Sequence, residues 1–148
     1  MPKNAEECRR MPKSSTLAKT IIAFSNTGGG KLIIGVNDQG QIIGLNPDIN
    51  IFELKDKVAS IVYETCYPTV LPDIYTTTVD EQLLLIIEVY RGNLLPYYLK
   101  NKGKNEGVYI RVGATNRKAS LDNILELERQ RMNISFDQEA NREVDFVG

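Results

Sequence analysis

Residues 17–45 read LAKTIIAFSNTGGGKLIIGVNDQGQIIGL, and the order of signals in this stretch decides the fold class. Leu17, Ile21 and Phe24 fall at i, i+4 and i+7, with Ala18, Ile22 and Ser25 alongside, which is the repeat of a helix with an apolar face. Ser14 and Ser15 precede it, and serine before such a run predicts an N-cap. Asn26, Thr27 and Gly28 predict the stop, because glycine takes the left-handed C-terminal conformation cheaply. Lys31–Asn37 (KLIIGVN) then reads as a strand, Asp38–Gln39–Gly40 as a turn and Gln41–Leu45 (QIIGL) as the returning strand of a hairpin.

The same stretch tests a nucleotide-binding reading, suggested by the glycine run and Lys31. A phosphate-binding loop needs the spacing GxxxxGK[ST], whereas Leu32 follows Lys31 here and no Lys-Ser/Thr pair follows Gly40. It also needs strand, glycines, then a helix whose positive N-terminus faces the phosphate. The order here is helix, glycines, strand, so the negative end of the helix faces the glycines. A helix cap and a tight turn into a strand explain the run more simply.

Outward from this stretch, Ile51, Leu54, Val58 and Ile61 make the stripe of a second helix, with Asn50 as cap and Glu53 three residues on. That helix should end before Pro68. Ile74–Val79 and Leu83–Tyr90 read as two strands joined around Asp80–Glu81–Gln82. LLLIIEVY is apolar almost throughout, which predicts a central strand covered on both faces. A short strand is expected at Tyr97–Leu99, then a polar, basic turn (KNKGKNEG), a strand at Val108–Val112 and a loop over GATNRKAS. Ser120 should cap a third helix carrying Leu121, Ile124, Leu125 and Glu128. Interspersed helices and hairpins predict an α+β fold, a mixed, mostly antiparallel sheet packed against two or three helices. Residues 1–132 form the expected domain, and 133–148 read as a tail or linker to a further domain of the same parent chain.

Composition bounds the chemistry. The 148 residues fit one domain, with 42% hydrophobic and 25% charged residues, as in soluble globules. No apolar run reaches the roughly 18 residues of a membrane span, and the N-terminus lacks the apolar core of a secretory signal, so a cytoplasmic location is expected. There is no histidine, and the cysteines are Cys8 and Cys66. Zinc fingers and histidine-based triads are thereby removed, and both cysteines read as small, partly buried hydrophobes.

The net charge of −1 conceals strong segregation. Residues 1–31 carry six Lys/Arg against two acids, and residues 91–118 carry seven against one. Residues 32–90 carry nine acids against two cations, and residues 119–148 seven acids against three. A field acts locally, so two basic blocks matter more than the sum.

Residues 17–45 are similar to the signature of the Schlafen AlbA-like domain, in which a helix ending in an AFxNT-type sequence leads to Gly-Gly, an apolar strand, a GV-D-G turn and an I-x-G-L strand. Tyr109–Asn116 (YIRVGATN) resembles that family's second signature, a strand ending in RxG before a small polar loop. The resemblance covers roughly residues 5–132. It implies nucleic-acid binding, DNA or RNA, within transcriptional regulators or helicase-related proteins.

The residues support that direction independently. Tyr97–Lys118 interleaves tyrosines with cations, which combines stacking faces with charges that displace counterions from phosphates. Lys100, Lys102, Lys104, Arg111, Arg117 and Lys118 are the expected phosphate contacts, with Tyr98 and Tyr109 as stacking candidates. Arg9, Arg10, Lys13 and Lys31 extend the surface if the N-terminal block folds beside this segment. No cofactor is expected on this reading, and binding rather than catalysis. The alternative is a Mg- or Mn-dependent ribonuclease, because some Schlafen proteins resemble metal-dependent nucleases that use carboxylates. Asp38 matches the turn acid, and Glu7 of Glu7–Cys8–Arg9 stands for an EFK-like triplet. An earlier glutamate of that motif has no counterpart, and Asp38 is more simply a turn residue. Self-association is left open.

Overall fold

The computed structural model describes residues 13–133. The first helix, α1, spans Ser14–Asn26. It begins one or two residues earlier than a serine cap would place it. Lys13 is the N-cap with no side-chain capping bond, and both serines lie inside the first turn. Nine of its 13 residues are buried, from Leu17 to Asn26, so it is a central helix rather than one with a single apolar face.

Strand β1 (Gly30–Ile34) pairs antiparallel with β4 (Gln82–Val89), and β4 pairs antiparallel with β3 (Asp73–Val79). The order β1-β4-β3 puts the apolar strand in the centre, as its composition predicts. Val79 faces Gln82 across a two-residue turn in which Asp80 and Glu81 both have positive φ, 51° and 65°. This mirror-image geometry matches the twist of the flanking strands.

Alternation gives the sheet two unequal faces. Leu83, Leu85, Ile87 and Val89 align with Leu32, Ile34, Ile74 and Thr76 and join the core, in which Leu85, Ile87 and Val89 are almost wholly buried. The opposite face carries Lys31, Ile33, Asp73, Tyr75, Ile86 and Glu88, and Ile33 is 44% exposed. The expectation of a strand covered on both faces holds only in part on this second face, where Leu84 is buried while Ile86 is half-buried. Its isoleucines are interleaved with hydrogen-bonded polar groups, such as Tyr75 Oη donating to Glu88 at 3.0 Å, so it stays partly solvated.

The hairpin expected after β1 forms as an irregular one, with a Val36–Ile42 bridge, Asn37 N–H donating to Gln41 O at 3.0 Å and Ile43 N–H to Gly35 O at 2.8 Å. Leu45 N–H also donates to Leu83 O at 2.7 Å, tying the returning segment to β4. Helix α2 (Ile51–Thr65) follows, with Asn50 as its cap accepting from Glu53 N at 3.2 Å. It buries one stripe, Leu54, Val58 and Val62. Short strands β2 (Cys66–Tyr67) and β5 (Tyr98–Leu99) pair next. The basic turn contains a one-turn helix, α3 (Gly103–Glu106).

Strand β6 (Tyr109–Val112) pairs with β7 (Thr115–Lys118), so TNRK is a strand and not the expected loop. Helix α4, residues 121–133, is capped by Ser120 Oγ, which accepts from Asn123 N at 3.2 Å. Its buried positions are Ile124 and Leu127, whereas Leu121 and Leu125 are 69% and 54% exposed. The pairings among the described strands are all antiparallel, and the fold is α+β. Among the described residues no helix is long and apolar enough to cross a membrane. Of the tail expected at 133–148, residue 133 ends α4 and 134–148 lie outside the described residues.

Candidate nucleic-acid interface

Both resemblance motifs meet at one place, the C-terminal end of α1 against the β6–β7 hairpin. Asn26 is 3% exposed there. Its Nδ2 donates to Tyr97 O and Tyr109 O, both at 2.9 Å, and its Oδ1 accepts from Tyr97 N at 2.7 Å. One amide thus satisfies three backbone groups more than 70 residues away. Thr27 Oγ1 donates to Ala23 O at 2.6 Å and accepts from Arg111 N at 3.1 Å. From the hairpin, Asn116 Nδ2 donates to Thr20 Oγ1 at 2.9 Å, and its Oδ1 accepts from Arg111 Nη1 at 2.6 Å. The Arg111 guanidinium lies 5.2 Å from the Phe24 ring centroid, a cation–π distance. The side chains of NT and of RVGATN therefore act first as a structural joint.

The glycine turn is likewise packed. Gly29 has φ +76°, and a Cβ there would lie 2.6 Å from Val89 O. Only glycine fits both the backbone conformation and the close approach to the end of β4. Gly29 N–H donates to Phe24 O at 2.9 Å and Gly92 N–H to Ser25 O at 3.0 Å, closing the helix end.

The basic segment is divided rather than gathered. In the β6–β7 register Tyr109 faces Lys118 and Arg111 faces Asn116, all on the side of α1. Ile110 faces Arg117 and Val112 faces Thr115 on the other side, so Arg117 is separated from Lys118 by strand alternation. Lys100 Nζ donates to Tyr63 O at 3.0 Å and sits over that ring, which anchors it to the end of α2. Lys104 pairs with Glu128 at 3.0 Å and Lys118 with Glu106. That contact holds the Glu106 carboxyl below its usual range and the Lys118 ammonium above its own. Lys102 is exposed near Glu106. Tyr98 stacks at a tilt on Tyr67, 5.5 Å between centroids.

Lys31 lies opposite Glu88 on the solvent face of the sheet and does not join the hairpin surface. Lys13 stands exposed at the start of α1, two turns before Thr20 and on the same side of the helix. Lys19, which sequence reasoning passed over, places its ammonium 5.3 Å from the Tyr109 ring centroid. Its signal was its place in the apolar helix, where a lysine marks the edge of the buried surface. Arg9, Arg10, Glu7 and Cys8 lie outside the described residues.

Asp38 occupies an exposed turn in which Asn37 Oδ1 accepts from Gln39 N and Gln41 N, both at 2.9 Å. Among the described residues no group of three or more His, Cys, Asp or Glu is placed to hold a metal ion. Cys66 is buried, and desolvation pushes its thiol up despite a hydrogen bond with Thr65 and the charge of Lys100. It behaves as a small hydrophobe.

Arg91, also passed over, meets Arg111 in a cleft of about 410 Å³ beside the glycine turn. It lies two residues past the central strand, so its emergence at that strand's end was the available clue.

A central buried helix, a flanking antiparallel sheet and a hairpin tied back by a buried asparagine and a half-buried threonine define an α+β domain of the Schlafen type. The chain belongs to the Schlafen, AlbA_2 family, whose pattern matches residues 3–120. It is similar to the crystal structure of the DIP2311 protein from Corynebacterium diphtheriae, with a TM-score of 0.57 and 26% identity over 87% of this chain. It spans 20% of that protein's length. It is also similar to the solution NMR structure of the N-terminal domain of a RecG-related protein from Nitrosomonas europaea, with a TM-score of 0.49 and 26% identity. That likeness covers 72% of this chain and 76% of the other. No curated protein matches the chain.

Proposed function

We propose that this domain binds nucleic acid, DNA in preference to RNA, by gripping the phosphate backbone with little reading of base sequence. A transcriptional regulator or helicase-related protein is the parent this role suits. Family membership supports the reading, and one contact carries it. Lys19, from the first basic block of the chain, lies over Tyr109, which faces Lys118 of the second block across β6 and β7. Cations from both blocks thereby flank one half-buried tyrosine, which joins phosphate contacts to a stacking face.

Lys13 extends this surface along α1. Glu106 subtracts from it, yet both members of the Lys118–Glu106 pair are more than half exposed, at 51% and 65%. Exposed pairs are screened by solvent and contribute little, so a phosphate can replace Glu106 as the partner of Lys118. Lys102 and Arg117 flank the hairpin as secondary contacts, and Arg111 belongs mainly to the joint.

Fluorescence anisotropy with a labelled mixed-sequence duplex tests the proposal. With about three phosphate contacts, affinity should fall by tens of fold between 50 and 200 mM salt, at roughly −0.9 in log–log slope per contact. A flat salt dependence, or no binding at 50 mM salt with protein at tens of micromolar, contradicts it.

A further inference from the structure

We propose that the cleft beside the glycine turn is a separate site for a phosphate monoester, either the 5′-phosphate at a strand end or the phosphate of a free mononucleotide. The cleft lies between the end of α1, strand β6 and helix α4, and its volume of about 410 Å³ is in the ordinary range for small-ligand sites.

Its lining is rich in donors and poor in available acceptors. Arg91 and Arg111 come from different elements and converge on the same space. Each is held by a neutral amide rather than a carboxylate, Arg91 by Gln130 Oε1 and Arg111 by Asn116 Oδ1. Neither joins an ion pair among the described residues. A guanidinium has five N–H donors, so each keeps several for a ligand. The lining carboxylate, Glu126, is already engaged. It accepts from Arg129 Nε at 2.9 Å and from Gln130 Nε2 at 3.3 Å, and these bonds hold its carboxyl down to about 2. Asn123 turns its oxygen to Ser120 N at 3.0 Å, which leaves its amide N–H groups as further donors.

Two guanidinium groups with uncompensated charge suit a dianion and match oxygen pairs through planar forks. A monoester carries about −1.5 to −2 at pH 7, whereas each internal phosphodiester carries one charge. Concavity also favours a terminus over a backbone passing across the surface. Ile110 and Leu127 supply apolar wall for the attached nucleoside. The site does not depend on the hairpin surface, since Lys19, Tyr109 and Lys118 are not part of it.

The test compares one oligonucleotide bearing a 5′-phosphate or a 5′-hydroxyl, and adenosine 5′-monophosphate alone in a thermal-shift titration. If the ligand is a strand end, the phosphorylated strand binds about tenfold more tightly, the scale of one or two charge-assisted bonds. If it is a free nucleotide, adenosine 5′-monophosphate raises Tm. In either case Arg91→Ala abolishes the response, and Arg91→Lys, which keeps charge without the fork, retains part of it. The response should also strengthen from pH 5 to pH 7, as the monoester gains its second charge near pH 6. Lys19→Glu should weaken both strands equally and keep the preference, which separates this site from the hairpin surface. Equal binding of the two strands together with no thermal shift overturns the proposal, as does a preference that survives in Arg91→Ala.

Discussion

Asn26 and Asn37 sit in similar sequence, each followed within three residues by a polar residue and a glycine, and each side chain makes three hydrogen bonds. The bonds of Asn26 reach Tyr97 and Tyr109, across 71 and 83 residues. Those of Asn37 reach Gln39 and Gln41, within four residues, on the surface. The first asparagine joins a helix to a hairpin in the core; the second shapes one turn. Residue type and local pattern are shared, so the difference lies wholly in what the chain brings to each amide.

The same two substitutions at both positions sharpen the contrast. Asn26→Asp should be the most damaging, because it keeps the acceptor for Tyr97 N but sets a buried charge against two carbonyls. A loss of about 4 kcal/mol or more is expected in urea denaturation. Asn26→Ala strands three buried backbone groups and should cost about 3–5 kcal/mol. Asn37→Ala should cost about 1 kcal/mol, and Asn37→Asp, which preserves both backbone acceptor bonds, no more than about 0.5 kcal/mol. Comparable losses at the two sites would break the distinction between joint and turn.

The smallest expected effect is electrostatic. Arg129 and Gln130 hold the Glu126 carboxyl at about 2, below its ordinary value, so its contribution is complete above the usual carboxylate range. That contribution is lost as pH falls toward 2. Glu126 and Arg129 are exposed and Gln130 is half-buried, so Glu126→Gln should lower the urea midpoint slightly at pH 7 and by less near pH 2. A difference that grew on acidification would reverse the assigned sign.

Much of the fold was legible because periodicity and caps speak locally. The stripe of α2 with Asn50, the apolar centre of β4 and the capped start of α4 follow from residues within one element. Strand β7 was not legible, since TNRK is polar and mostly exposed and is a strand only through its ladder to β6. The partly solvated face of the β1-β4-β3 sheet was equally hidden, because an apolar run does not reveal which neighbours arrive. For the site, charge segregation pointed to two segments but not to their alternation. Strand period 2 put Arg117 and Lys118 on opposite sides, and Lys104 found Glu128 from a distant helix. The contacts of Lys19 and Arg91 come from partners 90 and 39 residues away.

The account rests on cations from both basic blocks acting on the same bound strand. The most direct measurement is the slope of log affinity against log salt for a mixed-sequence duplex, in the native chain, in Lys19→Ala/Lys118→Ala, and in Lys57→Ala on α2 as a control. Each phosphate contact removed should lower the magnitude of the slope by about 1, so the double variant should lose about 2 and the control nothing. An unchanged slope in the double variant, or an equal loss in the control, would contradict a binding surface formed where α1 meets the hairpin.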